Sequence, residues 1–374
     1  MKTRAAVLHQ AGLAAPYAAS RPLVVEELDL DEPGQDEVLV RIRAAGLCHS
    51  DLSVINGDRP RPVPMALGHE AAGEVIECGP GVRDLAPGDR VVMVFVPSCG
   101  GCVPCFEGRP ALCEPAAAAN TSGTLLCGER RLHLDGRDIH HHLGVSAFSE
   151  HAVVSRRSLI KFDPSLSYEE AALFGCAVLT GVGAVVNTAR VPAGTTVAVV
   201  GLGGVGLNAL LGGILVGARE VIAVDLNEDK LKLAKQLGAT AAFNAGETEA
   251  LAGLREHTKG GVDYAFEMAG SVHAMDFAYR ATRRGGMTVT AGLSHPDHKW
   301  AVQHVSLVAE ERTVKGSYIG SAVPLRDIPR YMALYQQGRL PVDKLMSDRL
   351  PLDEVNAGFD RLATGGAIRQ ILAL

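Results

Sequence analysis

The sequence predicts an α/β chain in two domains, a β-rich first part followed by a doubly wound parallel sheet. Three observations carry this: apolar–polar alternation in the first part, a change near Val178 to short apolar runs separated by helical stretches, and a glycine-rich strand–turn–helix junction at 201–206. With 374 residues, the chain is long enough for two domains and a large core.

Segment 37–45 (EVLVRIRAA) alternates apolar and polar residues as a half-buried strand does. Segments 73–78 and 89–96 behave similarly, with Pro87-Gly88-Asp89 as the turn between them. The stretch 99–113 reads as loop, and the alanines at 116–119 as loop or short helix. Segment 195–200 (TTVAVV) has the apolar run of a buried parallel strand, leading into a helix that ends at about Gly217. The next strand is 220–224, closed by Asp225, and helix 230–237 follows with Gly238 as its stop. Strand-like stretches recur at 263–267 and 287–291, so right-handed βαβ units are expected. After about Gly320 the alternation ends, and the tail is expected to return to the first domain.

At 47% hydrophobic and 21% charged the composition is that of a globular protein, and a net charge of −6 argues against binding a phosphate backbone. The start, MKTRAAVLHQ, has no apolar signal core, and no run approaches 18 apolar residues. A cytoplasmic protein without nucleic-acid or membrane partners is expected, with its cysteines reduced.

Cys99, Cys102, Cys105 and Cys113 stand at the spacing of a single four-thiolate metal site. Disulfides or an iron–sulfur cluster are the competing readings. A closed zinc site is structural, and it pins a lobe at about 97–115. Cys78 and Cys127 read as packing or loop thiols.

The fingerprint Gly201-Leu-Gly203-Gly204-Val205-Gly206 follows a strand and opens a helix. Gly201 permits the tight turn, Gly203 lets the backbone approach a pyrophosphate, and Gly206 allows close packing of helix on strand. Asp225, ending the next strand, should accept hydrogen bonds from the adenosine ribose. A 2′-phosphate against it would cost on the order of 4 kcal/mol per charge pair at about 4 Å, so NAD is expected over NADP. The competing role for Asp225 is capping the following helix.

Cys48, His69 and Cys176 lie outside the four-cysteine lobe. Two thiolates and an imidazole leave one position free, the ligand count of a catalytic zinc.

These motifs together resemble the zinc-dependent alcohol dehydrogenases of the medium-chain dehydrogenase/reductase superfamily, across essentially the whole chain. The resemblance is carried by GLCHSD at 46–51, GHE at 68–70, the four-cysteine lobe, Gly175-Cys176 with Thr180-Gly181, GLGGVG, VDLNEDK at 224–230 and Ala367-Ile368-Arg369. The stretch 113–140 and the segment IHHHLGVSAFSE resemble the longer, animal-type members.

The resemblance implies a GroES-like catalytic domain at 1–178 and 320–374, and a Rossmann domain at 179–319, with the chemistry in the cleft between them. It implies two zinc ions per chain, NAD, and reversible oxidation of a primary or secondary alcohol by hydride transfer to nicotinamide C4. Ser50 matches the hydroxyl that takes the alcohol proton, and Asp51 the carboxylate that orients His69. Glu70 matches a carboxylate near the metal, with structural support as its other reading. His49 and Arg369 match positions facing the cofactor phosphates, and Lys230 one near the adenosine ribose, where a solvated lysine is the alternative. Thr180 and Val205 match positions against the nicotinamide, although Val205 also reads as core.

Many members place a proton-carrying histidine where this chain has Ser53. The proton is then expected to leave through water or His49. Phe95, Leu143 and Leu293 match apolar channel positions, while Ala118 would open one wall. His142, Tyr318 and Arg59 place polar tips near the mouth, with a solvent-facing His142 and Arg59 as the alternative. A medium-sized or aromatic alcohol is implied, with a polar or anionic far end. S-(hydroxymethyl)glutathione oxidation is the nearest rival activity, and a non-catalytic NAD-binding protein the rival of another class. A homo-oligomer, dimer or tetramer, joined through the nucleotide-domain sheet edges is expected.

Overall fold

The computed structural model describes residues 1–374. It divides into two compact units: Met1–Cys176 with Val323–Met332 and Val342–Leu374, and Ala177–Ala322 with Ala333–Pro341.

The first unit holds a closed barrel of Lys2–Leu8, Leu23–Leu30, Leu132–Leu134, Arg137–His141 and Met65–Ala66. Alternate residues such as Ala5, Val7, Leu28, Leu30, Leu132 and Ile139 fill it, as the two-residue period of a strand dictates. Beside it runs a second sheet ordered Leu159–Lys161, Arg90–Met93, Ala71–Cys78, Glu37–Gly46, Arg369–Ala373 and Met346–Pro351, with His151–Ser155 also paired to Glu37–Gly46. The C-terminal strand runs antiparallel to the end of Glu37–Gly46, Ile371 opposite Gly46.

The second unit is a six-stranded, wholly parallel sheet in the order Ala241–Asn244, Glu220–Asp225, Thr196–Val200, Val262–Glu267, Thr282–Thr290, Thr313–Gly316. The first strand in sequence lies beside the fourth, so strand order reverses there, which is where doubly wound sheets bind ligands. Ala198, Val200, Ile222, Val224, Leu254 and Ala278 pack its core. The expected α/β class holds, with β-rich and doubly wound parts. No single helix is long and apolar enough to cross a membrane.

The stretch 99–113 is not wholly loop: Val103–Phe106 is a helical turn and Pro110–Leu112 a 3-10 turn, while the alanines at 116–119 lie in the short helix Glu114–Ser122. Each opens with proline at its first or second position, where the missing N–H is no loss and φ is already helical. Strand 89–96 shortens to Arg90–Met93 because its neighbour Leu159–Lys161 pairs only with Val91, Val92 and Met93.

His141 closes the barrel strand Arg137–His141 and is fully buried. Its Nε2 accepts the Arg131 N–H at 3.0 Å. Burial, aided by Arg130 and Arg131, pushes it down to about 3, so it is neutral in the fold. Unfolded, it takes up a proton near the usual histidine value of about 6.5. Between those values the unfolded chain binds more protons, so stability falls as pH falls. His141→Gln keeps the acceptor without the titration. Denaturant melts should show it losing about 2 kcal/mol less stability than wild type between pH 7 and pH 5; equal losses would contradict this account.

Candidate metal and dinucleotide sites

The strand Glu37–Gly46 delivers Cys48 to the start of helix His49–Ile55, where its extended backbone (φ −131°, ψ 151°) makes it the N-cap. Asp51, in the helix's first turn, is fully buried. Gly68 has φ +92°, and a Cβ there would stand 2.5 Å from the Phe148 nitrogen, so only glycine makes the turn that presents His69. Cys176 joins the turn Leu173–Gly175 to helix Ala177–Gly183.

These local features bring the Cys48, His69 and Cys176 ligand atoms within 4.8 Å of one another, all three residues buried. Asp51 Oδ1 accepts from His69 Nδ1 at 3.0 Å and from the Gly68 N–H at 3.3 Å. That bond assigns the imidazole proton to Nδ1 and leaves a lone pair on Nε2, which is buried without a hydrogen-bond partner. An orphaned imidazole nitrogen facing two thiols fits a zinc ion. Burial opposes charge on His69, yet Asp51 raises it well above its usual value. Burial likewise works to raise Asp51, but His69 and His142 hold it below the usual carboxylate range. The Cys176 thiol donates to Cys48 and holds Cys48 well below its ordinary value, while Cys176 is raised in turn.

Glu70, fully buried, accepts from Arg369, itself 3% exposed. Arg369 therefore stands against Glu70, its Nε without a partner. A Cβ on Gly46 would stand 2.7 Å from Glu70 Oε1 and 2.9 Å from Arg369 Nη2, so this pair needs a glycine beside it.

The four thiols of Cys99, Cys102, Cys105 and Cys113 also lie within 4.8 Å of one another, and all eight cysteines are free. The Gly101 N–H donates to Cys99 Sγ at 3.3 Å and brings that thiol down to about 7. The Cys99 N–H donates to Cys113 Sγ at 3.2 Å, although burial pushes Cys113 up to about 12. Four sulfurs with no other ligand suit a closed site. Cys78 donates to the Leu85 carbonyl and Cys127 to Glu37.

In the second unit, Gly201 (φ +93°) has no room for a Cβ against Ala269, and a Cβ on Gly206 would lie 1.7 Å from the Gly201 oxygen. A Cβ on Gly203 would meet nothing within 4 Å, which leaves open space where a ligand can reach the backbone. Helix Gly204–Leu215 begins there with Gly203 as N-cap and no capping side chain. Its first N–H groups, including those of Gly204 and Val205, form a positive end suited to a pyrophosphate. Asp225 accepts the Leu202 N–H at 2.6 Å and the Asn227 N–H at 2.9 Å. Both bonds fix its carboxylate beside the loop, and each oxygen keeps a second lone pair for a ribose hydroxyl. Lys230 lies in the first turn of the helix that Asn227 caps, and Thr180 is buried in Ala177–Gly183.

Phe95 is buried edge-on to the His69 ring, centroids 5.3 Å apart. Leu143 is buried, Ala118 exposed, Arg59 and Ser50 half-buried, and His49 exposed. In the second unit Leu293 and Tyr318 are exposed. His142 does not face solvent: it is buried, with Nδ1 3.1 Å from Asp51 Oδ1 and its ring edge-on to that of His69 at 5.5 Å. No local sequence signal joins residues 51 and 142, and only the fold brings them together.

Two families of known domains match the chain, an alcohol dehydrogenase GroES-like domain at 34–164 and a zinc-binding dehydrogenase domain at 204–337. An NDMA-dependent alcohol dehydrogenase of Amycolatopsis methanolica is 42% identical over 100% of this chain and 99% of its own. An S-(hydroxymethyl)glutathione dehydrogenase of Paracoccus denitrificans is 36% identical over the full length of both. The crystal structure of benzyl alcohol dehydrogenase from Acinetobacter calcoaceticus superposes with a TM-score of 0.93 at 32% identity, covering 100% of this chain and 99% of that one.

The two thiol-containing groups should load independently. Metal analysis is expected to give two zinc ions per wild-type chain, one in Cys102→Ala and one in Cys48→Ala, with the melting temperature lowered more by Cys102→Ala. A wild-type protein with one ion would refute the paired assignment.

Proposed function

The chain belongs to the zinc-dependent alcohol dehydrogenases of the medium-chain dehydrogenase/reductase superfamily, and from that premise we propose that it interconverts a medium-sized or aromatic alcohol and its carbonyl with NAD. The observation that carries this reading is the buried Cys48, His69 and Cys176 group, with Asp51 fixing the imidazole so that Nε2 is left for a metal.

Cys48, His69 and Cys176 would hold a catalytic zinc, and Cys99, Cys102, Cys105 and Cys113 a structural one. Zinc polarises an alcohol oxygen and lowers its pKa, and oxidised NAD accepts the hydride. Gly201, Gly203, Gly204, Val205 and Gly206 would receive the pyrophosphate, and Asp225 the ribose, which selects NAD by repelling a 2′-phosphate. Ser50, two residues beyond Cys48, would take the alcohol proton on Oγ. Ser53 cannot pass it on as a histidine would: its hydroxyl donates to the His49 carbonyl at 2.9 Å. Water or the exposed His49 would then carry it to solvent. Phe95, against the His69 ring, would keep water from the reacting oxygen and supply an apolar wall for an aromatic ring.

A spectrophotometric panel with NAD, with NADP, and with and without NDMA tests the reading. Benzyl alcohol and medium-chain alcohols should reduce NAD and leave NADP almost untouched. Turnover of S-(hydroxymethyl)glutathione alone would transfer the assignment to that substrate, and no turnover of any alcohol would refute the proposal.

Arg59 would attract an anionic far end. A unit charge at about 4 Å is worth about 1 to 4 kcal/mol between aqueous and surface dielectrics. In Arg59→Leu, kcat/KM for an ω-hydroxy acid should fall by about 10-fold relative to a neutral alcohol of the same length. An unchanged ratio would remove the anionic preference.

A further inference from the structure

The strand Arg90–Met93 ends its ladder before Phe95 is reached. Past that point the chain is held by other bonds. The Val94 N–H donates to the Ser158 carbonyl at 2.8 Å, and Asn120 Nδ2 donates to the Phe95 carbonyl at 2.9 Å. Phe95 is 8% exposed, and its ring stands edge-on to that of His69, centroids 5.3 Å apart at 90°. Only two torsions per residue are soft, so a bond that fixes a carbonyl restricts one of them and with it the direction in which the side chain leaves.

Asn120 belongs to the helix Glu114–Ser122, whose buried residues are Ala116, Ala119 and Asn120. Asparagine is among the poorer helix formers, and a buried amide is costly unless it is bonded. The bond to Phe95 accounts for its place on the buried face of an alanine-rich helix. Its partner also settles which way the amide points: a carbonyl needs a donor, so the nitrogen faces Phe95. Oδ1 is buried without a hydrogen-bond partner and lies toward the turn that carries Leu143, where a Cβ on Gly144 would stand 3.7 Å from it. Leu143 (φ 52°) and Ser146 (φ 52°) hold that turn in the left-handed region, a strained conformation for residues with a Cβ. The Asn120 main-chain carbonyl accepts from Arg61 Nη1 at 3.2 Å. One residue thus bonds Phe95 through its side chain and Arg61 through its main chain, and abuts the turn after His142.

We propose that Asn120 is a positioning residue for substrate selection: its amide holds Phe95, and so sets the apolar wall that receives an aromatic alcohol beside His69. The proposal rests on the reading that the alcohol reacts at Cys48, His69 and Cys176. Asn120 acts through Phe95 rather than on the reacting atoms. A single methylene of fit in an apolar pocket discriminates substrates by about 10-fold or more, so a small displacement of the Phe95 ring changes preference before it abolishes reaction.

The test uses the full-length protein and two variants without a donor at this position, Asn120→Leu of similar shape and Asn120→Ala of smaller size. Selectivity is read as kcat/KM for benzyl alcohol divided by that for ethanol. In Asn120→Leu the ratio should fall by about 10-fold, most of it in the KM for benzyl alcohol. Phe95→Ala closes the cycle: added to it, Asn120→Leu should leave the ratio within about 2-fold of Phe95→Ala alone, because an effect that runs through the ring is already lost. Fluorine NMR gives a readout that needs no turnover. In protein made with 4-fluorophenylalanine, the Phe95 line is assigned by its loss in Phe95→Leu. That line should shift in both Asn120 variants while the remaining lines keep their wild-type positions. An unchanged ratio, an equal loss in the Phe95→Ala background, or an unmoved Phe95 line would overturn the proposal. Movement of all the lines in both variants would make Asn120 a general support of the fold and overturn it as well. If Asn120→Leu alone disturbs them all, its bulk is responsible, and Asn120→Ala decides by the same two readouts. Failure of the underlying reading shows separately, as a wild-type chain that turns over neither alcohol while its Phe95 line still answers to Asn120.

Discussion

The bond from His69 to Asp51 is the constraint on which the site depends. A buried carboxylate without partners is costly enough to take up a proton, and a protonated Asp51 would no longer hold the imidazole proton on Nδ1. The chain prevents this locally. Asp51 sits in the first turn of a helix whose N-terminus favours negative charge, and the Gly68 N–H reaches the same oxygen as His69. Because Cys48 caps that helix, one short element presents both a candidate metal ligand and the carboxylate that orients the imidazole of His69. The geometry of the three-ligand group follows from that helix start, from the glycine turn before His69 and from the junction between Leu173–Gly175 and Ala177–Gly183 that carries Cys176.

A second buried charge sits beside the first. Glu70 and Arg369 are paired out of solvent, and Gly46 supplies the space they need. Such a pair adds little net stability, because desolvation cancels much of the attraction, but deleting one partner typically costs about 3 to 5 kcal/mol. Its importance lies in register. Arg369 opens the C-terminal strand and Glu70 precedes the strand Ala71–Cys78, both neighbours of Glu37–Gly46. The pair ties the end of the chain to the segment carrying His69, two elements nearly 300 residues apart in sequence.

What the sequence disclosed was whatever depends on neighbours in the chain. The fingerprint at 201–206, Asp225 ending its strand, Gly238 stopping its helix, and the four-cysteine spacing all express local geometry, and the structure has the corresponding turn, strand end, left-handed glycine and sulfur cluster. Strand limits were less legible, since pairing partners set them: 89–96 keeps its apolar character to Val96 but its ladder ends at Met93. The helical turns among the lobe cysteines were hidden because metal-type spacing reads as loop while prolines start helices. The place of His142 was not legible at all. Three consecutive histidines look alike in sequence, yet His140 accepts from Arg130, His141 closes the barrel strand and His142 meets Asp51. Alternation along a strand and a strained turn separate them, and neither has a composition signal.

The two sulfur-rich groups show how one chain prepares the same element for different tasks. In the lobe, Cys99, Cys102 and Cys105 are half-buried, and backbone N–H groups donate to two of the sulfurs. Four cysteine sulfurs would fill a tetrahedral shell, so an ion held there would only brace the fold. The other group is buried throughout, includes one imidazole, and lacks a fourth protein ligand. There, low dielectric strengthens every charge interaction, and a cation that keeps one corner for an exchangeable oxygen acts on that oxygen strongly. On the proposed reading, burial of Cys48 and Cys176 would be part of the chemistry, whereas partial exposure of the lobe cysteines would cost it nothing. The buried Asp51 and the residues fixing it are what make a dry, charged and incompletely filled site compatible with a stable fold.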